Sequence, residues 1–350
     1  MVIAPLLAEQ HIPTCVILQS ASARGPDGVL AYPARCDESG TLVYPRASPR
    51  RVNHASCQAP LTRDAHSSTH HIHMGAPARQ AIDDVARSLA AAYAALPEVR
   101  AVAMAGSWAG DVADDASDLD LYVYYTTEIP LAPRSAVAAA RGVAPDLDNR
   151  AFEPGDSWEE AASGLPVDVT FRHTTWTADI LARTLEQHEA SLGYSTCIWA
   201  NVLASRILFD RGGWLASLQE RACVPYPEPL RRTIIAKNHP LLRRARFSFL
   251  RQLDKAVARA DWVSVNHRIA AMLASYFDVL FALNRVPHPG EKRLVALAVA
   301  RCGVLPEGMT EGIAALCAAG TASMTSVVEA ADRLVDGLDR LLVAEHLISP

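Results

Sequence analysis

Asp118 and Asp120 lie two residues apart in the stretch Asp-Leu-Asp-Leu, where polar and apolar residues alternate. Because side chains of a strand alternate between its faces, this spacing predicts both carboxylates on one face and both leucines on the other. Two neighbouring carboxylates raise each other's pKa and lose solvation when they are buried. A divalent cation such as Mg²⁺ offsets that cost, since it binds carboxylate oxygens at about 2.0–2.1 Å. The pair therefore indicates a metal site, with a solvated strand edge as the alternative.

A Gly-Ser pair, Gly106-Ser107, follows the apolar stretch 101–105, and its serine lies eleven residues before Asp118. The pattern predicts a short strand, a turn and the start of a helix. Glycine allows the backbone to approach a phosphate closely, and a serine hydroxyl beside exposed N–H groups can donate to phosphate oxygens. The pair is therefore a candidate phosphate-binding turn, with an ordinary N-capping serine as the alternative.

The loop between these two features is acidic and contains no basic residue. Its carboxylates do not follow the 1-3-5 spacing of a calcium-binding loop, and glycine at the sixth position and glutamate at the twelfth are both missing. A calcium-binding loop is thus excluded for the acidic residues Asp111, Asp114 and Asp115.

A third carboxylate occurs in the alternating stretch 165–172. Val167, Val169 and Phe171 are predicted to share one face of a strand, which leaves Asp168 on the opposite face with Thr170 and Arg172. If this strand pairs with the one that carries Asp118 and Asp120, three carboxylates lie together. The alternative for Asp168 is a solvated position or a turn.

The ordered combination of strand, Gly-Ser turn and Asp-x-Asp strand resembles the signature of the polymerase-β-like nucleotidyltransferase superfamily. Small-molecule members of that superfamily, such as the aminoglycoside nucleotidyltransferases, are the most similar in style. The resemblance implies two Mg²⁺ ions about 3.5–4 Å apart that clamp the entering and leaving oxygens. It assigns Asp118 and Asp120 as ligands of both ions. Asp168 would ligate the ion beside the acceptor and help to take its proton.

Members of this superfamily often place an Arg or Lys just after the Gly-Ser pair, whereas Trp108-Ala109-Gly110-Asp111 supplies none here. Because this turn supplies no cation, one is expected from the C-terminal part. The chain has only three lysines beside thirty arginines, so each lysine is a candidate. Our candidate for binding the triphosphate is Lys292, together with Arg293 or Lys237; a solvated helix end or a capping contact is the alternative. The surrounding stretches 236–240 and 284–293 are similar to a helical domain of unknown function that accompanies such nucleotidyltransferase domains.

Asp278 is a further candidate, since the aminoglycoside enzymes use a carboxylate of their helical domain as an extra acceptor base. It stands among the apolar residues Tyr276, Phe277, Val279 and Leu280. An outward polar position explains it equally well.

The implied activity is transfer of a nucleoside monophosphate from an NTP, expected to be ATP, to a hydroxyl of a small molecule, with release of pyrophosphate. The acceptor could be an antibiotic, although a basic helical half does not favour a highly cationic one. Two alternatives stay open: a nucleotidyltransferase acting on a protein or RNA end, as antitoxin-like relatives do, and a non-catalytic nucleotide-binding regulatory protein.

Charge is distributed unevenly over the 350 residues. Residues 74–190 contain 8 basic and 19 acidic side chains, whereas residues 191–350 contain 19 and 14. This asymmetry is expected if one part holds metal and the other meets phosphate. Seven scattered cysteines without a Cys-x-x-Cys pair argue against a disulfide framework and a structural zinc site. We expect a cytoplasmic protein without a membrane span or a nucleic-acid partner; a homodimer is an open arrangement.

The elements that must position these residues divide the chain into three parts. Residues 1–73 lack sustained periodicity and are predicted to be a poorly ordered extension, with Met74 as an alternative start. Residues 74–190 are predicted to form a small mixed-sheet domain that begins with a helix at 77–96. Within it, 129–157 is expected to be mostly loop, apart from a short helix at 135–141. Residues 191–350 are predicted to form an all-α bundle, which makes the fold class α+β.

Overall fold

The chain folds as an α+β protein in which a six-stranded mixed sheet is followed by helices. We describe it from a computed structural model. The description covers residues 76–109, 117–151, 153–322 and 324–349 together with two short strands, β1 (Arg35–Cys36) and β2 (Leu42–Val43). The rest of the N-terminal extension predicted at 1–73, and the acidic residues 111, 114 and 115, lie outside the described residues.

The sheet consists of β3 (Val99–Met104), β4 (Leu119–Tyr125), β5 (Gly142–Asn149), β6 (Gly155–Glu160), β7 (Pro166–His173) and β8 (Arg206–Asp210). Their spatial order is β5-β6-β7-β4-β3-β8. β4 and β7 pair in parallel, and all the other pairs are antiparallel. The strands that carry the predicted carboxylates are therefore neighbours at the centre of the sheet.

The described helices are α1 (Ala76–Ala94), α2 (Gly106–Ala109), α3 (Leu131–Ala139), α4 (Thr174–Leu185), α5 (Cys197–Ala204), α6 (Trp214–Ala222), α7 (Glu228–Leu242), α8 (Phe249–Ala258), α9 (Trp262–Leu283), α10 (Leu294–Arg301), α11 (Met309–Ala322) and α12 (Met324–Ala344). α9 lies against α7 and α8, and α12 lies against α8 and α11. α9 is buried along most of its C-terminal half, which is typical of a helix at the centre of a bundle.

Each face of the sheet has its own hydrophobic core. On one face Leu119, Leu121 and Val123 pack with Leu89 and Tyr93 of α1. On the other face, a larger core joins sheet residues such as Ala101 and Tyr124 to the helices. The sheet is thus buried on both sides, and the odd-even alternation of β4 sends Asp120 to the side of the helices.

One prediction about the first part of the chain was wrong in detail. The stretch 129–157, expected to be mostly loop, contains α3, β5 and the start of β6. β5 is an edge strand whose residues are almost all exposed, so it has no apolar alternation by which it could be recognised. β5 is held as a strand by its pairing with β6, which no local sequence pattern predicts.

The expectation that no strand follows residue 190 was also wrong. Within the part predicted to be all-α, α5 is followed by β8, which pairs with β3 at the edge of the sheet. All five residues of β8 are only partly buried, and its sequence Arg-Ile-Leu-Phe-Asp has no alternation of apolar and polar residues by which a strand could be recognised. The domain boundary at 191 stays a prediction.

The prolines of the helical part did not all mark helix ends. α7 continues through Pro240 to Leu242, so a proline in this part does not by itself mark the end of a helix. The helix ends at Arg243, whose guanidinium is held by Asp332, Asp336 and Asp339 of α12. A tertiary contact therefore fixes this boundary. Within the described residues, no helix is both long and apolar enough to cross a membrane.

Candidate functional site

The three predicted carboxylates lie together at one end of the central strands. Asp120 of β4 and Asp168 of β7 are direct register partners in the parallel pair, and neighbouring strands lie about 4.8 Å apart. Asp118 precedes β4 on the same side of the chain. All three residues are half-buried. The register confirms that the strand of Asp168 pairs with that of Asp120, and this brings the three side chains to one face.

Gly106 closes the site from the side of β3. Its φ is +60°, and a Cβ placed there would lie 1.8 Å from Oδ2 of Asp120. The residue before Gly106 is joined directly to β4, because the Ala105 N–H donates to the Asp120 carbonyl at 2.9 Å. Gly106 is therefore required both for its backbone conformation and for the space that the Asp120 carboxylate fills.

Ser107 lies beside this carboxylate in the four-residue helix α2 and is half-buried. Trp108, the next residue, is buried, and its Nε1–H donates to the Ser117 carbonyl at 3.2 Å. This bond joins α2 to the segment just before Asp118. The Gly-Ser turn and the Asp-x-Asp strand are in this way held as one unit.

The site concentrates negative charge away from water. The pKa of Asp120 is raised to about 7, chiefly by burial; Lys292 opposes this rise, while Asp168 and Asp118 contribute to it. Burial also raises the pKa of Asp168, with Asp118 adding to the rise and Lys292 opposing it. Three carboxylates in one half-buried place are costly without a cation.

Lys292 is the cation that the structure brings to this place. It lies in the loop between α9 and α10, is exposed, and its ammonium acts on both Asp120 and Asp168. A lysine from the C-terminal part of the sequence is therefore within electrostatic range of the carboxylates. Arg293 is half-buried and adopts a positive φ of 56° directly before α10.

Oxygen donors of this kind suit Mg²⁺, which is usually held by one or two carboxylates together with substrate phosphates and water. Although Asp118, Asp120 and Asp168 lie at the same end of the central strands, neither they nor any other three His, Cys, Asp or Glu side chains among the described residues converge closely enough to form a ready metal-binding group. The donor chemistry fits a metal that arrives with the nucleotide, and it does not form a closed cage made by the protein alone.

Two other predicted residues lie elsewhere. The Lys237 ammonium donates a hydrogen bond to the Ala190 carbonyl at 2.5 Å. Ala190 lies in the segment between α4 and α5. Asp278 is 1% exposed. Its carboxylate accepts from the Ser195 N–H at 2.9 Å, from Ser195 Oγ at 2.6 Å and from Asn238 Nδ2 at 3.0 Å. A buried carboxylate with three donors has no access to an acceptor hydroxyl, which argues against the predicted role as base.

One site residue was missed by the sequence reasoning. Ser157 of β6 is the register partner of Asp168, so the row Ser157, Asp168 and Asp120 crosses three strands on one face. Side chains directly opposite in an antiparallel pair have Cβ atoms about 4.5–5.5 Å apart. No motif marks Ser157, and the strand that carries it was expected to be largely loop.

One similarity to a known family covers part of the helical region, and similarities to solved structures cover most of the chain. Residues 195–294 match a family described as a domain of unknown function, DUF4037. This confirms the expected domain of unknown function in the helical part. None of the curated proteins matches the chain.

Among solved structures, the chain is similar to a nucleotidyltransferase-like protein from Exiguobacterium sibiricum 255-15. The identity is 15%, the TM-score is 0.38, and 75% of each chain is covered. The chain is also similar to the CCA-adding enzyme of Thermotoga maritima, solved in complex with tRNA, at 14% identity and a TM-score of 0.29. That likeness covers 68% of this chain and 57% of the enzyme. Likenesses of this strength carry no inference about activity.

Proposed function

We propose that the chain is a metal-dependent nucleotidyltransferase that moves a nucleoside monophosphate from an NTP, expected to be ATP, to a hydroxyl of a small molecule. The observation that carries the proposal is the pairing of Asp120 with Asp168 on adjacent strands, with the positive charge of Lys292 acting on both carboxylates. Carboxylates held in register at one strand end, next to an ammonium group, suit a triphosphate and its divalent cation better than a neutral ligand.

The order of the strands supports one direction for the proposed substrate. The Gly106-Ser107 turn follows β3, Asp120 lies on β4, and Asp168 lies on β7. A nucleotide whose β- and γ-phosphates meet the turn would thus present its α-phosphate near Asp120. The acceptor would then lie on the side of Asp168 and Ser157.

The reaction forms one bond and breaks one. The acceptor oxygen attacks the α-phosphorus, its proton passes to the Asp168 carboxylate, and the bond from the α-phosphorus to the bridging oxygen breaks. Lys292 neutralises charge on the departing pyrophosphate. Mg²⁺ held by Asp118, Asp120 and Asp168 would supply the remaining charge neutralisation on the phosphates when bound.

The test measures pyrophosphate release with each of the four NTPs and mixed hydroxyl acceptors, with product masses read directly. We expect Mg²⁺-dependent release that falls by at least about 100-fold in Asp120→Asn and Asp168→Asn. Asp254→Asn is the matched control, since Asp254 is exposed on α8 and the change removes the same charge. Full activity in a folded Asp120→Asn variant would exclude the assignment.

Product masses also decide between acceptor classes. A product equal to acceptor plus nucleoside monophosphate identifies a small molecule, whereas the same mass added to a protein or RNA identifies the alternative class. Nucleotide binding by calorimetry without turnover on any acceptor would indicate a regulatory binding protein and would contradict the proposed enzyme.

A further inference from the structure

The segment 191–196, between α4 and α5, is held by side chains of two helices that lie beneath it; we call it the 191–196 turn. Asp278 of α9 accepts from both the N–H and the hydroxyl of Ser195. Asn238 of α7 accepts from the Gly193 N–H at 2.9 Å and donates to the Ser191 carbonyl at 2.9 Å. Asn238 also donates to Asp278, so the two side chains act on the turn together.

The turn is constrained by its backbone as well. Gly193 has a φ of +75°, and a Cβ placed there would lie 3.0 Å from the Cβ of Ala274 on α9. Lys237 fixes the residue just before the turn through the Ala190 carbonyl. Few alternative positions of the 191–196 turn are compatible with these contacts.

The 191–196 turn also holds the loop that carries Lys292. This loop comprises residues 284–293, and we call it the lysine loop. The His288 N–H donates to Oγ1 of Thr196 at 2.7 Å, and both residues are buried. The His288 imidazole packs edge-on against Tyr194, with ring centroids 4.9 Å apart, and against Phe281 at 5.1 Å. The lysine loop is thereby anchored four residues before Lys292.

The buried imidazole acts as an anchor that carries no charge. Burial lowers the pKa of His288 to about 3, so the ring is neutral at physiological pH. Its Nδ1 accepts from the Gly290 N–H at 3.2 Å, which fixes the path of the loop on the way to Lys292. The chain of contacts therefore runs from Asp278 through Ser195 and Thr196 to His288.

We propose that Asp278 and Asn238 are positioning residues which, by holding the 191–196 turn and through it His288, place Lys292 beside Asp120 and Asp168. The proposal rests on the proposed function in that Lys292 is assigned to the triphosphate. It replaces the expected role of Asp278 as an acceptor base, because this carboxylate acts through Lys292 and touches no substrate.

The decisive measurement is a double-mutant cycle of Asp278→Asn and Lys292→Ala, read as kcat/KM for the NTP. The amide that replaces the Asp278 carboxylate cannot accept from every donor that the carboxylate serves, so the turn loosens while the side-chain volume is kept. We expect Asp278→Asn to lower kcat/KM roughly tenfold, mainly through KM, when Lys292 is present. In the Lys292→Ala background the same change should cost less than about twofold.

A second readout does not depend on activity. Hydrogen exchange of backbone amides should become faster across 286–290 in Asp278→Asn, since the His288 N–H loses its fixed acceptor, and should be unchanged in α1. Asp261→Asn is the matched control. It makes the same chemical change at the N-cap of the same helix, where Asp261 accepts from the Ser264 N–H, and should alter neither readout. If Asp278→Asn does not fold, Thr196→Val removes the acceptor of His288 directly and should give the same two results.

Equal losses of kcat/KM in both Lys292 backgrounds would overturn the proposal, because the carboxylate would then support the fold generally. Unchanged exchange across 286–290 in a folded variant would overturn it too. Failure of the proposed function is recognised separately. A wild-type protein without turnover on any acceptor contradicts the enzyme, whereas the exchange readout still decides whether Asp278 holds the lysine loop.

Discussion

At the scale of single residues, Gly106 shows how closely the backbone and the carboxylates of the candidate site fit together. Its absent side chain leaves the space that Oδ2 of Asp120 occupies, and its positive φ is one that other residues rarely adopt. A role for this glycine near phosphate could be predicted from its place after a strand. Its contact with Asp120 could not, because that contact depends on how β3 and β4 pair.

We expect Gly106→Ala to abolish nucleotidyl transfer and to lower the free energy of unfolding by about 1–2 kcal/mol. The new methyl group must displace the Asp120 carboxylate. Gly164→Ala is the matched control. Gly164 has a similar φ of +69° with nothing within 4 Å of its Cβ position, so it shares the backbone cost without the contact. Activity and urea unfolding are measured on both variants; an active Gly106→Ala protein would contradict this view of the site.

At the scale of elements, a buried ion pair lies on β7 farther along the face that carries Asp168, and its arginine also contacts β4. Arg172 of β7 donates to Glu153 through Nε at 2.6 Å and Nη2 at 2.8 Å. Its guanidinium also stacks on the ring of Tyr122 of β4 at 3.8 Å. The side chains of Arg172 and Glu153 are 3% and 8% exposed. Removing one partner would leave the other charge buried and unpaired.

We expect Glu153→Ala to lower the free energy of unfolding by about 3–5 kcal/mol, measured by urea titration. The surface pair of Arg150 with Glu128 is the control, since these side chains are 55% and 69% exposed. Glu128→Ala should change stability little, because water and salt screen an exposed pair. Equal effects of the two substitutions on the free energy of unfolding would show that burial does not increase the contribution of the Arg172–Glu153 pair to stability.

At the scale of the whole molecule, the larger of the two hydrophobic cores is shared by the sheet and the helices. Tyr124 of β4 packs on Trp214 of α6, with ring centroids 5.3 Å apart. Arg211, which follows β8, donates to the carbonyls of Ala94 and Val99 and so ties the start of the helical part back to α1 and β3. The six-stranded sheet is incomplete without β8, which comes from the helical part of the sequence.

We therefore expect residues 76–349 to unfold in one cooperative transition rather than in two. Helix content followed by circular dichroism and tryptophan fluorescence should give the same midpoint in urea, because a shared core cannot be lost from one part alone. Two separated transitions would show that the sheet and the helices are stable independently of each other.

The sequence alone was sufficient to predict the carboxylate pair, the Gly-Ser turn, the third aspartate and the α+β class. The carboxylates were predicted from local alternation, which a strand imposes every two residues, and the class from the order of strand-like and helical stretches along the chain. Only the tertiary structure decided that Lys292 lies beside the carboxylates, that Lys237 and Asp278 are engaged in the fold, and that β5, β6 and β8 belong to the sheet. The physical reason is the same in each case. Edge strands, anchored loops and buried hydrogen-bond networks are fixed by partners distant in the chain, and no local periodicity records which residues those partners are.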